Sequence, residues 1–347
     1  MSFAQYRWKL STILFTAFLF STPLSAAQTL IYSDHEPLGN MRTRFINDVF
    51  FAAIEKESHG RINIEAHWDS ELSSGYDALA MVGEGKKADL AVVVPEYAST
   101  ALPQHQLFKS FPVGLSGAQQ VAFFREVFSR IPAFSDELSR ANVSPVFIAT
   151  GYPLAFFSSK PINNLTDMRG QTWRSASFWH QAFLQNTGAR VVTMPWGDAT
   201  YKALQSGSID GLMLNVDSGY DLNAQRYAPH VLVSKDLWLG HVYLLVINQA
   251  RWASLSEEDR AAIQRAANDA YPQLGGVMDR SFDKQIADLK HSGASVRILK
   301  PQEVLAWEDK TQYQQVQSAW VKEQEAKGVV DMKETLEKLV EIKHSFD

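Results

Sequence analysis

One arginine in this 347-residue sequence stands where it could bind an anion. Arg174 ends a short run, Gln171 to Arg174, whose residues are typical of a β-strand. In open α/β folds, ligands lie at the carboxyl ends of the strands. The planar guanidinium can donate two parallel hydrogen bonds to a carboxylate, which a lysine cannot copy. Although arginines usually lie solvated on the surface, this position makes Arg174 a candidate carboxylate-binding residue.

Two further polar residues follow the next predicted strand, Asp210 to Leu214. The amide of Asn215 could both donate and accept hydrogen bonds in a pocket. Asp217 would be repelled by a carboxylate unless it pairs with Arg174 or binds a hydroxyl of the ligand. It could equally be the N-cap of the following helix. The sequence leaves these roles of Asp217 open.

Aromatic side chains are dense in the second half of the chain. Most of them are expected to lie in the core, because large aromatics dominate ordinary burial. Trp179, Trp196, Trp238 and His241 follow predicted strands or begin helices. We therefore expect one or two of them to line a ligand pocket.

The first half of the chain has polar residues at equivalent strand ends. The segments 34–36 and 95–97 are predicted loops that each follow a strand. His35 and Tyr97 could donate hydrogen bonds to a ligand there, and Glu96 adds a carboxylate beside Tyr97. For each of the three, a purely structural role is an equal alternative.

Sequence signatures of catalysis are missing. The chain contains no HExxH, no G-x-S-x-G and no phosphate-binding G-x-x-x-x-G-K-[ST]. Nine histidines are scattered without a pair at metal-ligand spacing on one predicted helix, so we expect neither a metal nor a cofactor. The sequence therefore favours a binding protein over an enzyme.

The N-terminus is typical of a secretory signal. Arg7 and Lys9 precede the apolar stretch Leu10 to Phe20, which is too short to span a bilayer. Small residues at 25–27 indicate cleavage after Ala27. A retained membrane anchor is the less favoured alternative, and the lack of cysteine excludes a lipoprotein anchor.

The charge and length of the chain further limit its possible functions and its domain organisation. Cleavage would remove two cations and shift the formal charge from −5 to −7, which does not suit nucleic-acid binding. Without cysteine the exported chain has no disulfides, so its stability must come from core burial. About 320 remaining residues exceed the roughly 250–300 of a single core, so we expect two lobes.

Strand and helix patterns alternate along the chain, which predicts an α/β fold. The predicted strands of a first series are 29–32, 61–67 and 90–94, and those of a second series, after Gly151, are 171–174, 190–193 and 210–214. Each series predicts a sheet of its own, with helices covering it. The expected architecture is two lobes, each with a mixed β-sheet.

The chain after residue 240 is predicted to add a central strand and a long helix that connects the two lobes. Val242 to Ile247 is apolar enough for a central strand, and Ser256 caps a long predicted helix that runs toward Lys290. The length of this helix suits an element that crosses from one lobe to the other. We predict lobe I over 28–150 plus about 240–278, and lobe II over 151–239 plus about 279–347, with the C-terminal helices packing on lobe II.

The segment from Lys160 to Trp252 resembles the substrate-binding subunit of TRAP transporters, the tripartite ATP-independent periplasmic systems. The family pattern appears, in order, as Lys160-Pro161, Asp167 to Gly170, Arg174, Gly188-Ala189, Met194-Pro195, Ala203 to Gly207 and Asp210-Gly211. The resemblance covers most of residues 29–292, and the C-terminal helices match only in character. In one departure, Leu212 to Leu214 stand where many members carry Gln-Glu-Asn.

This resemblance implies a periplasmic Venus-flytrap protein whose lobes close on a small organic anion, with Arg174 clamping its carboxylate. It also implies delivery to the small and large integral membrane subunits of a TRAP transporter, and we expect a monomer. One alternative is a periplasmic lyase or hydrolase that acts on a small organic acid, with Asp217 or Glu96 and His241 or His35 as acid and base. Another is a ligand-sensing subunit for a receptor kinase.

Overall fold

A computed structural model of the chain describes residues 27–194 and 197–346. The predicted signal peptide, apart from Ala27, lies outside the described residues, and so does Trp196. The strands are β1 (Gln28–Ser33), β2 (Ile62–His67), β3 (Leu90–Val93), β4 (Val143–Thr150), β5 (Leu154–Ser158), β6 (Thr172–Arg174), β7 (Arg190–Val192), β8 (Gly211–Asn215), β9 (His230–Val233), β10 (Val242–Asn248) and β11 (Ser295–Ile298).

The helices cover both sheets and extend to the C-terminal end of the described chain. They are α1 (Met41–Phe45), α2 (Ala52–Glu57), α3 (Ala78–Glu84), α4 (Gly117–Arg130), α5 (Pro132–Arg140), α6 (Phe178–Asn186), α7 (Asp198–Ser206), α8 (Val216–Asp221), α9 (Gln249–Ser254), α10 (Glu257–His291), α11 (Pro301–Thr311), α12 (Tyr313–Ala326) and α13 (Met332–His344). A π-helical segment joins α1 to α2, and 3-10 segments lie at Pro95–Ala98, Gln104–Ser110, Leu165–Met168 and Ala224–Arg226.

The strands form two mixed sheets. The first has the order β2-β1-β3-β10-β4, with β1 parallel to β2 and β3, and β10 antiparallel to both its neighbours. The second has the order β11-β9-β5-β8-β6-β7, in which β5 is antiparallel to β8 and β9 while the other pairs are parallel. Helices cover both faces of each sheet, as the apolar strands require.

The strand β10 shows why its sequence is almost continuously apolar. Leu244 and Val246 lie in the core on one face of the first sheet, and Leu245 and Ile247 lie in the core on the other. Because successive side chains of a strand point to opposite faces, both sets must be apolar when helices cover both faces.

The chain passes between the sheets three times. Residues 151–153 join β4 to β5, residues 234–241 join β9 to β10, and the helix α10 is the third connection. The hydroxyl of Ser256 caps α10 by accepting a hydrogen bond from the Asp259 amide at 3.0 Å. The carboxylate of Asp259 instead accepts from Nε of Arg61 at 2.8 Å, which fixes the start of α10 to the first sheet. Further along, α10 packs against α8 and β11 of the second sheet.

The last helix differs from its predicted place on the second lobe. Met332, Leu339 and Ile342 of α13 share a core with Phe123 and Phe124 of α4, which covers the first sheet. The amphipathic pattern of α13 shows that one face is buried, but not which sheet it packs on. Among the described residues, no helix has the length and apolar character needed to cross a membrane.

Candidate functional site

One edge of each sheet faces the other sheet. The ends of β6, β8 and β9 and the start of β5 lie at the same edge of the second sheet. The ends of β3 and β4 and the start of β10 lie at one edge of the first. Residues 151–153 and 234–241 run directly between these two edges, so the edges lie close together. We call the candidate polar residues at or next to these two edges the interlobe site; they are His35, Glu36, Glu96, Arg174, Asn215, Asp217 and His241.

Arg174 lies at the end of β6 and is only 2% exposed. Its Nε and Nη2 donate to the carbonyl oxygen of Met194 at 2.9 and 2.7 Å. Burial lowers the pKa of Arg174 to about 10, and no carboxylate among residues 27–194 and 197–346 forms an ion pair with it. Because the carbonyl takes the Nε side, the outer edge formed by Nη1 and Nη2 can still donate two hydrogen bonds to an anion.

Asn215 joins the second sheet to the connection before β10. Its Nδ2 donates to the carbonyl oxygen of Tyr152 at 3.0 Å, and its Oδ1 lies 3.0 Å from Nε2 of His241. Since the amide nitrogen is used as a donor, Oδ1 must accept, and His241 must carry its proton on Nε2. Burial, with the nearby charge of Lys109, keeps the pKa of His241 well below its usual range. The ring is therefore neutral.

The second nitrogen of His241 is a buried acceptor. Nδ1 has no hydrogen-bond partner among the described residues, and the nearest carboxylate oxygen, of Glu96, is 3.8 Å away. The other oxygen of Glu96 pairs with the buried amine of Lys109. Glu96, predicted as a site residue, thus lies next to His241 and contacts Lys109, whose pKa is lowered by burial.

Trp238 packs at the same connection, with its indole almost fully buried. The Nζ of Lys109 lies 4.8 Å from the centre of its ring, and the Trp238 Nε1 faces the Lys109 carbonyl oxygen at 3.4 Å. The structure therefore places Trp238 between Lys109 and His241, whose ring centre is 4.8 Å away. Lys109 was not singled out in the sequence, because it lies in a 3-10 segment with no strand before it.

His35 and Tyr97 lie on the first-sheet side of the site. The Tyr97 ring contacts His35 edge-on at 5.8 Å and stacks on exposed Tyr76 at 4.4 Å. Burial lowers the pKa of His35, although the neighbouring carboxylates of Asp34 and Glu36 oppose that shift. Tyr76 and Tyr97 thus form an aromatic rim beside Glu36.

Arg42 lies behind this rim. It was not predicted as a site residue from the sequence. It is 3% exposed and donates to both oxygens of Asp34, at 2.7 and 3.0 Å, and to Glu36 at 2.8 Å. Its guanidinium also lies 4.4 Å from the centre of the Tyr243 ring. The signal available in the sequence was a cation between the apolar residues Met41 and Phe45 of α1.

Asp217 lies in the first turn of α8, and Asn215, not Asp217, occupies the N-cap position of that helix. Its Oδ1 is buried and has no hydrogen-bond partner in the part of the chain that the structure describes. Burial, reinforced by the charges of Glu36 and Asp221, raises the pKa of Asp217 to about 7. It forms no ion pair with Arg174, whose pKa is shifted by burial alone.

The remaining predicted aromatic within the described residues is Trp179. Trp179 is buried in the core of the second sheet, where its ring contacts Phe178 at 4.4 Å and Trp320 at 5.5 Å. Trp196 lies outside the described residues. Within residues 27–194 and 197–346, no group of three or more His, Asp or Glu side chains is arranged to hold a metal ion.

The sequence matches one family model and several known proteins. The family model for bacterial extracellular solute-binding protein, family 7, matches residues 39–322. The "outer membrane transporter protein TsaT" of Comamonas testosteroni is 23% identical over 328 residues, 94% of this chain and 95% of that protein. The C4-dicarboxylate-binding periplasmic protein DctP of Rhodobacter capsulatus is 20% identical over 263 residues, 74% of this chain and 76% of its own length.

A solved structure has the same fold. It is a TRAP solute-binding protein from a marine metagenome, from an unidentified microbe, described as specific for aromatic acid ligands and crystallised with 3-hydroxybenzoate. The TM-score is 0.78 at 17% identity, covering 93% of this chain and 100% of that one. The likeness confirms the predicted fold class, two α/β lobes with mixed sheets and a long connecting helix.

Proposed function

Because this chain belongs to the bacterial extracellular solute-binding proteins of family 7, we propose that it captures a small organic carboxylate between its two lobes. It then delivers the ligand to the small and large membrane subunits of a TRAP transporter. The predicted signal peptide, cleaved after Ala27, brings the chain to the periplasm as a monomer. Lobe I comprises residues 28–150 and about 240–278, and lobe II residues 151–239 and the chain after about 279 up to α13.

The observation that carries this proposal is the buried charge of Arg174. Its side chain is 2% exposed, and its hydrogen bonds go to one neutral carbonyl group. An uncompensated buried ion costs several kcal/mol, so proteins normally pair it with an opposite charge. A ligand carboxylate bound to the outer Nη1–Nη2 edge supplies that charge through two charge-assisted hydrogen bonds.

Two contacts between the lobes support their closure on the ligand. The His241–Asn215 hydrogen bond of 3.0 Å links the connection before β10 to the end of β8. Trp238, on the same connection, packs against Lys109, whose neighbours Phe108 and Phe111 belong to the core of the first sheet. Such contacts, together with the ligand, favour the closed form that the membrane subunits recognise.

Binding without chemical change accounts for these residues better than acid–base catalysis does. Glu96 is paired with Lys109, and Nε2 of His241 is occupied by Asn215. His35 lies between two carboxylates that are already bound by Arg42. Mass spectrometry of the bound compound before and after incubation tests this part of the proposal, since a change in mass would reveal turnover.

The clamp is tested by calorimetry on Arg174→Ala, after a thermal-shift screen of small organic acids has found a binder. We expect affinity to fall by at least about tenfold, because charge-assisted hydrogen bonds contribute roughly 1.5–3 kcal/mol each. Arg174→Lys should retain more affinity than Arg174→Ala but less than the wild type, since an ammonium cannot donate two parallel hydrogen bonds in one plane. Arg190→Ala is the control: Arg190 begins β7, at the opposite end of the same sheet, and is exposed.

Normal binding by Arg174→Ala would overturn the assignment of the clamp. Equal losses in Arg174→Ala and Arg190→Ala would also contradict it, because only the first removes a cation from the interlobe site.

A further inference from the structure

Away from Arg174, the interlobe site is acidic. Glu36 lies on the first-sheet side, and Asp217 and Asp221 lie on α8 of the second sheet. Asp217 and Asp221 are four residues apart on α8, so they lie on the same face of that helix. The charges of Glu36 and Asp221 both help to raise the pKa of Asp217. Arg42 bonds to both Asp34 and Glu36, and its single charge leaves one negative charge uncompensated.

The same region holds two buried acceptors without donors. Oδ1 of Asp217 and Nδ1 of His241 are both shielded from solvent and have no hydrogen-bond partner among the described residues. Nδ1 can only accept, because the proton of the neutral ring is on Nε2 facing Asn215. Buried polar atoms in native proteins are nearly always satisfied, so unpaired ones need an explanation.

Two tyrosines also lie close to Asp217. Tyr152, on the connection between β4 and β5, has its pKa raised to about 12 by burial, and carboxylates including Asp217 add to the shift. Burial likewise raises the pKa of Tyr243 on β10, with contributions from Glu36 and Asp217. Both phenols are therefore neutral, and the far part of the site is negative overall.

We infer that the interlobe site selects a monocarboxylate whose far end carries a hydroxyl, and that Asp217, assisted by His241, is the specificity-determining residue. This inference rests on the proposed function, because it takes Arg174 as the anchor of the carboxylate. The ligand hydroxyl donates its hydrogen to Oδ1 of Asp217 or Nδ1 of His241, which satisfies a buried acceptor. A second carboxylate at that position would meet Glu36, Asp217 and Asp221, and like charges would oppose binding.

The inference is tested with two series of acids. Within each series the acids differ only in the group at the end opposite the carboxylate that binds Arg174. One consists of benzoate, 3-hydroxybenzoate and isophthalate, and the other of butanoate, 4-hydroxybutanoate and succinate. For wild-type protein, in whichever series binds, the hydroxyl acid should bind at least about tenfold more tightly than the dicarboxylate. In Asp217→Asn this ratio should fall to about threefold or less, because the amide neither repels an anion nor accepts as strongly.

Asp309→Asn is the matched control. Asp309 lies on the exposed surface of α11, so its change removes the same charge without touching the interlobe site. It should leave the ratio as in wild-type protein. A ratio that changes equally in both variants would overturn the role of Asp217.

The pH dependence of binding gives a second readout in wild-type protein, which keeps the test valid if Asp217→Asn folds poorly. The hydroxyl binds the ionised carboxylate best, so binding lowers the pKa of Asp217 from its ligand-free value of about 7. Affinity for the hydroxyl acid should therefore be highest above that pH and should decrease as the pH falls below it. For the dicarboxylate the sign reverses, and affinity should decrease as the pH rises.

The outcomes separate the two proposals. If dicarboxylates bind wild-type protein as tightly as hydroxyl acids and do so through Arg174, this inference is wrong while the proposed function stands. If Asp217→Asn retains the wild-type ratio and pH profile, the specificity role is wrong. If none of the six acids binds while another small organic acid from the thermal-shift screen does, this inference is wrong and the proposed function stands. If binding does not depend on Arg174, the clamp assignment fails, and this inference fails with it because it takes Arg174 as the anchor. If no small organic acid binds at all, the proposed function itself fails.

Discussion

Two buried arginines, one on each side of the interlobe site, have opposite surroundings. Arg42 is 3% exposed and bonds to the carboxylates of Asp34 and Glu36. Arg174 is 2% exposed and, among the described residues, bonds only to the carbonyl oxygen of Met194. Although burial alone would lower both pKa values, the two carboxylates raise that of Arg42 well above its usual range, whereas burial lowers that of Arg174 to about 10.

The difference separates a structural cation from a binding one. A buried arginine whose charge is already matched within the chain holds its neighbours in place and has little to gain from a ligand. A buried arginine with an unmatched charge is stabilised by an incoming anion. Both cases look alike in the sequence, since each is an arginine close to the end of a strand or the start of a helix.

The largest expected effect is on folding and comes from Arg42. Arg42→Met leaves Asp34 buried without its counter-ion, which should destabilise the protein by about 3–5 kcal/mol. Urea denaturation of ligand-free protein measures the change as a lower midpoint. The control is Arg44→Met in the same helix, because Arg44 is exposed; it should change stability by no more than about 0.5 kcal/mol.

A change of less than about 1 kcal/mol in Arg42→Met would contradict this contrast, since surface ion pairs contribute only that much. It would mean that the network around Asp34 is not a structural element of lobe I.

Arg174→Met should behave oppositely in the absence of ligand. The variant removes an unmatched buried charge and loses two hydrogen bonds to Met194, so its stability should be unchanged or higher by up to about 1 kcal/mol. Refolded, ligand-free protein is needed, because a bound acid would stabilise only the wild type. A loss as large as that expected for Arg42→Met would show that Arg174 is structural.

More of the fold than of the candidate site could be predicted from the sequence. The strands of both βα series, the central strand β10 and the long helix α10 follow from apolar runs and a serine cap. The strands β9 and β11 were not predicted. β11 lies at the edge of the second sheet and is partly exposed, so it lacks the apolar run of a buried strand. The partner of α13 was also not predictable, since amphipathicity does not identify the surface that a helix covers.

The site was predictable only where position in the fold limits the chemistry. Arg174 and Asn215 end strands, and strand ends at facing sheet edges come together. The roles of Arg42 and Lys109 depend on tertiary contacts with Asp34, Glu36 and Glu96 that the sequence does not show. Trp179 illustrates the reverse: an aromatic after a strand can equally pack into the core, as it does against Trp320.

The smallest expected effect is the acid dependence that Asp34 gives to lobe I. Burial alone would raise the pKa of Asp34, but the charge and hydrogen bonds of Arg42 lower it below its usual value. Its contribution to stability is therefore complete above the unfolded pKa of about 3.9 and is lost as the pH falls through the lower folded value.

In Asp34→Asn this part of the acid dependence should be missing, as urea midpoints between about pH 5 and 3 would show. In Arg174→Met it should be retained, because Arg174 pairs with no carboxylate of the described chain. Parallel pH curves for wild type and Asp34→Asn would show that the Arg42 network does not set the acid stability of lobe I.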